Sequence, residues 1–462
     1  MTNPLFRKKS IDAFANENKN GHLAKTLGPF DLMLLGVGAI VGTGIFILPG
    51  TVAAEHAGPG IVFSFIIAAI VCAFAALCYS EFASKIPVTG SAYTYAYVVY
   101  GEWIAWLIGW ALILEYGLAV AAVSTGWSAY LNSLLVGFNI HIPQALSASY
   151  NADAGTYINL PAMLIIFLLS FLLTKGVKES TRLNTIMVFI KVGIILLFII
   201  VGIFYVKPEN WTPFLPFGTS GVLTGAALVF FAFLGFDAVS SAAEEVKIPQ
   251  RNMPIGIIGS LVVCTILYVC VSLVLTGMVP FTQLNVDNPV SFAMQMVHLN
   301  WVSGFISLGA VVGMTTVILV MLYGCTRLLY AFSRDGLLPN VLSEVNEEHH
   351  TPIKNTWITA TITAICAGVI PLYQLASLVN MGTLLAFAAV SLGILFLRKQ
   401  KNIPKEGFNV PFFPIVPILS FILCVFLMTQ LTRFTWITAI IWLVIGCIIY
   451  FIYGKKHSKL QQ

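Results

Sequence analysis

The sequence predicts an all-α integral membrane protein with twelve transmembrane helices, in which two five-helix repeats of opposite topology precede two additional helices. Three observations carry this fold class. Hydrophobic residues make up 58% of the 462 positions and charged residues only 9%, and the mean hydropathy is +0.91, a composition that no fold with a water-solvated surface carries. Apolar runs recur at residues 30–54, 60–84, 103–135, 157–174, 184–206, 219–243, 254–279, 301–332, 356–371, 375–397, 412–431 and 434–453. The first and the sixth of these runs are interrupted at their centres, by GAIVGTGIF (38–46) and FFAFLGFD (230–237).

The first run is long enough to cross a bilayer, which takes about 20 residues, yet its centre holds the residues of poorest helix propensity. In hydrocarbon, a broken helix survives only where the freed N–H and C=O groups face protein or a water-filled cavity. A break at mid-depth is therefore a candidate ligand site. The alternative is a packing seam, since Gly38 and Gly42 are spaced as GxxxG. The second interruption favours the break, because it opens the second set of five spans as the first opens the first set. Paired interruptions in corresponding halves mark inverted-repeat transporters.

An even number of spans places both termini on one side. Of the 24 lysines and arginines, all but Lys191, Lys207 and Arg433 fall on that side or at the span ends that border it, so the termini are expected in the cytoplasm of a bacterial-type cell, under its plasma membrane. The chain then divides into a cytoplasmic tail (1–29), a first repeat (30–206), an inverted second repeat (219–397), two extra helices (412–453) and a cytoplasmic tail (454–462). The N-terminal tail lacks the apolar core of a signal peptide. Leu5, Phe6, Ile11 and Phe14 among Arg7, Lys8 and Lys9 allow either an interfacial helix or a solvated tail. Outer loops at 136–156 and 280–300 are expected to be exposed or to carry short lid helices. All eight cysteines lie in apolar runs without CxxC spacing, as buried thiols do. Glu347, Glu348, His349 and His350 read as a solvated loop, so no metal and no cofactor is expected.

Four stretches, GVGAIVGTGIFILPG (36–50), IPVTGSAYTYAYVVYGEWIAWLIGWALILEY (86–116), FFAFLGFDAVSSAAEEVKIPQRNMPIGI (230–257) and SRDGLLP (333–339), resemble the amino acid, polyamine and organocation transporter superfamily, and within it the cationic amino acid transporter branch. The resemblance implies the leucine-transporter fold, with helices one and six unwound around the substrate. It implies an amino acid as the partner molecule, in a lipid membrane, with no nucleic acid.

A zwitterion needs donors for its carboxylate and acceptors for its ammonium, and a broken helix offers both without a fixed charge. The half-helix starting near Thr43 presents free amides at its positive end, which suits a carboxylate at Gly42, Thr43 and Gly44. Glycine allows close approach. The half-helices ending at Ile40 and Val41 and at Phe231, Ala232 and Leu234 present carbonyls for the ammonium. The resemblance assigns the same roles to these positions. Asp237 reads first as a cap of the half-helix it opens, bonding the amides of Val239 or Ser240. Phe231 is either a gate over the ligand or ordinary packing, and Glu244, Glu245, Lys247 and Arg251 are either a solvated face or an inner gate.

Two ionisable residues lie deep in spans, where each costs about 2.5–3.5 kcal/mol if unpaired. Glu115 is either a strut to a neighbouring span or a contact for a cationic side chain; Ile40, Phe231 and Met321 favour small neutral substrates, and the choice stays open. Lys191 pairs with a carboxylate such as Glu115 or takes a coupling role. The resemblance implies the latter: in proton-coupled bacterial relatives a lysine of helix five holds its ammonium where sodium-coupled relatives bind the ion, and Lys191 in IKVG matches it. The expected function is proton-coupled amino acid uptake by alternating access, with an exchanger, a facilitative carrier or an amino-acid-sensing receptor as rivals. The short tails leave no room for a signalling domain. No nucleophile, phosphate loop or metal cluster points to an enzyme.

Overall fold

A computed structural model describes residues 7–8, 26–87, 91–175, 181–346, 351–400 and 406–459. The tail positions Leu5, Phe6, Ile11 and Phe14 and the loop 347–350 lie outside the described residues, and so does the side chain of Glu244.

Helix α1 (Pro29–Ile40) begins at a proline whose missing N–H costs nothing in a first turn. It stops where Val41 (φ −75, ψ 99) and Gly42 (φ −149, ψ −143) leave helical space, and the chain resumes as α2 (Thr43–Phe46) and α3 (Leu48–Val52). There follow α4 (Ile61–Lys85), α5 (Ser91–Val99), α6 (Glu102–Gly137), α7 (Leu160–Thr174) and α8 (Thr181–Gly202). Helix α9 (Gly218–Val229) tightens into a 3-10 turn over Phe230–Phe233, breaks through Leu234 and Gly235, and resumes as α10 (Ala238–Ser241). The remainder is α11 (Pro249–Met278), α12 (Pro289–Met296), α13 (Asn300–Arg334), α14 (Ile353–Val369), α15 (Leu372–Leu397), α16 (Ile415–Thr429), α17 (Arg433–Ile449) and α18 (Lys455–His457).

Among the described residues, seven helices are long and apolar enough to cross a membrane, and shorter apolar helices cover Pro29–Ile40, Leu160–Thr174, Gly218–Phe233 and Ile415–Thr429. Both breaks fall where the glycine-rich stretches predict them. Gly235 adopts φ +109, a backbone state that glycine enters without a Cβ penalty. The loops at 136–156 and 280–300 carry a 3-10 turn at Gln144–Leu146 and the short helix α12. Helix α5 falls outside the pattern of runs. Helix α5 has nine residues, all buried, and is too short for a span; its tyrosines hold it, Tyr93 packing on Phe332 at 4.6 Å and Tyr95 on Phe82 at 4.7 Å.

The centre of the molecule is α6, packed along α13 and α15, while α11 packs along α4 and α1. One end is clasped by Glu81, which is fully buried. Its carboxylate accepts from Arg398 Nε at 2.9 Å and Nη2 at 2.7 Å, from Lys85 Nζ at 2.8 Å and from the Val410 amide at 2.8 Å. The clasp ties α4 to α15 and to the segment that enters α16. Truncating one member of a buried charged set strands the others. Glu81→Ala is expected to cost roughly 3 kcal/mol, the low end of the usual range because Arg398 keeps some water. A thermal melt of purified protein checks it, and an unchanged midpoint would remove the clasp.

Candidate functional site

The two breaks meet. A Cβ built on Gly44 would lie 2.4 Å from Ala232 Cα, and one on Gly235 would lie 2.9 Å from the carbonyl carbon and oxygen of Ala39. Backbone therefore passes backbone at both levels, which only glycine permits. On the far side, a Cβ on Gly42 would stand 3.4 Å from Val317 of α13. Met321 follows Val317 by one helical turn, so it lies on the same face of α13, and it is buried. Ile40, Val41, Gly42, Thr43, Gly44, Phe231, Ala232, Leu234 and Met321 are all buried.

At the break each group has a distinct neighbour. The Thr43 hydroxyl lies 3.2 Å from Met314 Sδ and 3.4 Å from the Val123 carbonyl. The Phe231 carbonyl accepts from the Leu234 amide at 3.3 Å. The carbonyls of Ile40 and Ala232, by contrast, both face one hydroxyl, that of Tyr268 on α11, at 3.1 and 2.7 Å. A phenol has one proton, so it donates to one of them at a time. The other is left to a second donor. Tyr268 is a site residue that the motifs do not include, although a lone phenol deep in an apolar run needs a buried partner and signals one. Asn380 of α15 is another: its amide donates to the carbonyls of Ala227 and Leu228 at 2.8 and 3.1 Å and so satisfies the end of α9.

Asp237 corrects an expectation. It occupies the N-cap position of α10 without a side-chain cap, because its backbone is helical (φ −68, ψ −26) and capping needs an extended residue. Its Oδ2 accepts instead from the Tyr116 hydroxyl of α6 at 3.1 Å. Glu115, the neighbour of Tyr116, is 2% exposed and lies in the field of Asp237, beside Thr383.

Lys191 is fully buried and donates from Nζ to the Gly38 carbonyl at 2.8 Å. That carbonyl belongs to the last turn of α1, just ahead of the break. Gly313 of α13 makes room for the stem, since a Cβ there would lie 2.9 Å from Lys191 Cγ. No ion pair joins Lys191 to Glu115 among the described residues, so a pairing with Glu115 in particular is not formed. The lysine thus bridges α8, α1 and α13.

Residues 27–435 match the model of a family described as amino acid permease. The chain belongs to the amino acid permease family. It is 54% identical over 458 residues, 99% of each chain, to a methylthioribose transporter of Bacillus subtilis (strain 168). It is 53% identical over 466 residues, 100% of each chain, to the branched-chain amino acid permease BcaP of the same organism. A vacuolar cationic amino acid transporter 2 of Arabidopsis thaliana is 40% identical over 401 residues, 85% of this chain and 63% of that one. These relatives are permeases and transporters, not enzymes, and the cationic branch stands farther from this permease than the two Bacillus proteins do.

Proposed function

We propose that this permease is a secondary active transporter that takes up amino acids with apolar side chains together with protons, by alternating access, across a bacterial plasma membrane. It does so on the leucine-transporter plan, with twelve spans and cytoplasmic termini, and with the substrate held between the breaks at α1–α2 and α9–α10. The carrying observation is the meeting of the two breaks: the start of α2 passes the Phe230–Phe233 turn so closely that a Cβ on Gly44 would lie 2.4 Å from Ala232 Cα, next to the ends of α1 and α9. Amides at a helix start suit a carboxylate and carbonyls at a helix end suit an ammonium. Ile40, Phe231 and Met321 line the remainder with apolar surface, which supports a neutral side chain. The branched-chain permease among the relatives supports the same preference.

Uptake of radiolabelled leucine into proteoliposomes under an inward proton gradient tests the reading. The expected result is accumulation above the external concentration, abolished by a protonophore and indifferent to sodium. Equilibration without accumulation would replace coupled transport by facilitated diffusion. A contact between Glu115 and a cationic side chain predicts that Glu115→Gln weakens binding of lysine or arginine relative to leucine, measured by competition against labelled leucine. An equal loss for all three would make Glu115 a strut.

A further inference from the structure

The start of α6 at Glu102 and the SRDGLLP stretch (333–339) at the end of α13 take no part in the broken-helix site. Both hold the C-terminal segment instead. Trp106 and Trp110 follow Glu102 on one face of α6, and Trp442, Gly446 and Tyr450 share one face of the last span, each four residues from the next. The Trp110 and Trp442 indoles donate to one another's carbonyls at 2.8 and 2.9 Å, and Trp106 donates to the Gly446 carbonyl at 2.9 Å. One turn farther along, the Tyr450 hydroxyl donates to Glu102 Oε1 at 2.9 Å. Glu102 Oε2 accepts from the Ser458 hydroxyl at 2.6 Å and from Tyr97 of α5 at 3.2 Å. Glu102 and Ser458 are each 2% exposed. Between 450 and 459 the buried residues are Tyr450, Gly454 and Ser458, one per helical turn, so a single face of the segment meets the seat. Its far end closes on the SRDGLLP stretch through backbone. The Lys459 amide donates to the Asp335 carbonyl at 3.1 Å, and the His457 carbonyl rests on Gly336, where a Cβ would overlap it and φ is +82. The Asp335 carboxylate accepts in turn from Tyr93 of α5 at 2.8 Å.

Apolar packing does not explain this arrangement. Within α17 the buried residues are Thr435, Ala439 and Gly446, and in lipid no hydrophobic force draws one helix to another. Polar bonds set its place, and hydroxyls donating to a carboxylate make the short, strong kind. We propose that Glu102 is a positioning residue for transport: it is the socket of a strap, residues 450–459, that locks the neighbouring ends of α5, α6 and α13 into one frame. The same two helices flank the break farther along, where the Val123 carbonyl of α6 lies by Thr43 and Val317 of α13 by Gly42. Those contacts are more than about 25 Å along the helices from the strap. Undocking therefore leaves the substrate's seat intact and loosens the frame against which the broken helices move. Turnover falls and affinity does not.

Hydrogen–deuterium exchange of the full-length permease in lipid nanodiscs, read by mass spectrometry beside leucine uptake in proteoliposomes, tests it. The expected result in the wild type is slow exchange over 454–459. Ser458→Ala removes a bond to a charged group and should speed that exchange about tenfold or more. Exchange over 333–339, on the other side of the contact, should rise with it. The maximal rate of leucine uptake should fall severalfold while the half-saturating concentration stays, and Ser458→Thr, which keeps the hydroxyl, should restore both exchange and rate. Gly336→Ala approaches from the opposite side without touching Glu102 and should free 454–459 in the same way. Wild-type exchange over 454–459 as fast as in an unstructured peptide overturns the proposal, and so does a Ser458→Ala variant that frees the segment with its uptake rate unchanged. The proposal rests on the transport reading only for the rate. A wild type without leucine uptake would sink that reading, while the exchange of 454–459 and 333–339 would still decide whether the strap docks.

Discussion

Lys191→Ala is expected to abolish leucine accumulation driven by an inward proton gradient, a loss of at least about tenfold, while leucine binding falls far less. The reason is the position of the ammonium. It holds the Gly38 carbonyl at 2.8 Å, in the last turn before the first break. A charged ammonium donating to a carbonyl in a dry interior forms a strong bond, so the protonated lysine fastens α1 to α8. A neutral amine makes a weaker bond, and α1 is then freer to move. Alternating access needs such a difference between two states, since a ligand shifts an equilibrium only by its differential affinity for them. Alanine removes the fastening in both states and leaves motion unlinked to protons. Exchange of internal for external leucine, which needs no gradient, should continue in the mutant. Full proton-driven accumulation by Lys191→Ala, or a sodium requirement in the wild type, would leave the lysine as a structural tie. Gly313→Leu offers a second approach to the same contact, because a Cβ there already meets the lysine stem at 2.9 Å.

The positions of both breaks are legible in the sequence because glycine in an apolar run is a local signal, and Gly42 and Gly235 fall where the chain leaves helical geometry. Lys191 is legible for a similar reason: a cation within twenty apolar residues is conspicuous by its cost. What the sequence hides are groups whose meaning lies in a contact between distant segments. Tyr268 is 228 residues from Ile40 and 36 from Ala232, and nothing in its own run shows that it spans two carbonyls. Asn380 serves carbonyls 153 and 152 residues away. Asp237 has the sequence signature of a cap, because a short acidic residue before a helix so often is one, whereas its own backbone angles, invisible in sequence, direct the carboxylate to Tyr116. Helix α5 is hidden because its tyrosines bury against neighbours from other spans, not along an apolar stripe of its own.

Gly44 carries the other large effect. From sequence, a leucine there blocks the ligand and spares the fold; the structure alters the second half of that expectation. The Cβ of any residue at position 44 would lie 2.4 Å from Ala232 Cα and 2.6 Å from Ala232 Cβ, inside contact with backbone that has no rotamer to yield. The two broken helices must then separate, and overpacking of this kind costs about 1–3 kcal/mol. Gly44→Ala is accordingly expected to weaken leucine binding by about tenfold or more, because separation draws the amides at the start of α2 away from the carbonyls of Ile40 and Ala232, and to lower the melting midpoint as well. Gly44→Leu should show no measurable binding. Gly42→Ala is the internal comparison: the atoms nearest its Cβ would be those of the Val317 side chain, Cγ2 at 3.4 Å, and that side chain can give by a few tenths of an ångström. It should melt close to the wild type and lose less binding than Gly44→Ala. Leucine binding measured directly on purified protein, beside melts of all three variants, separates loss of the site from loss of the fold. Wild-type affinity in Gly44→Ala would move the substrate away from this seam altogether, since no ligand clasped between α2 and the Phe230–Phe233 turn could ignore a methyl group placed between them.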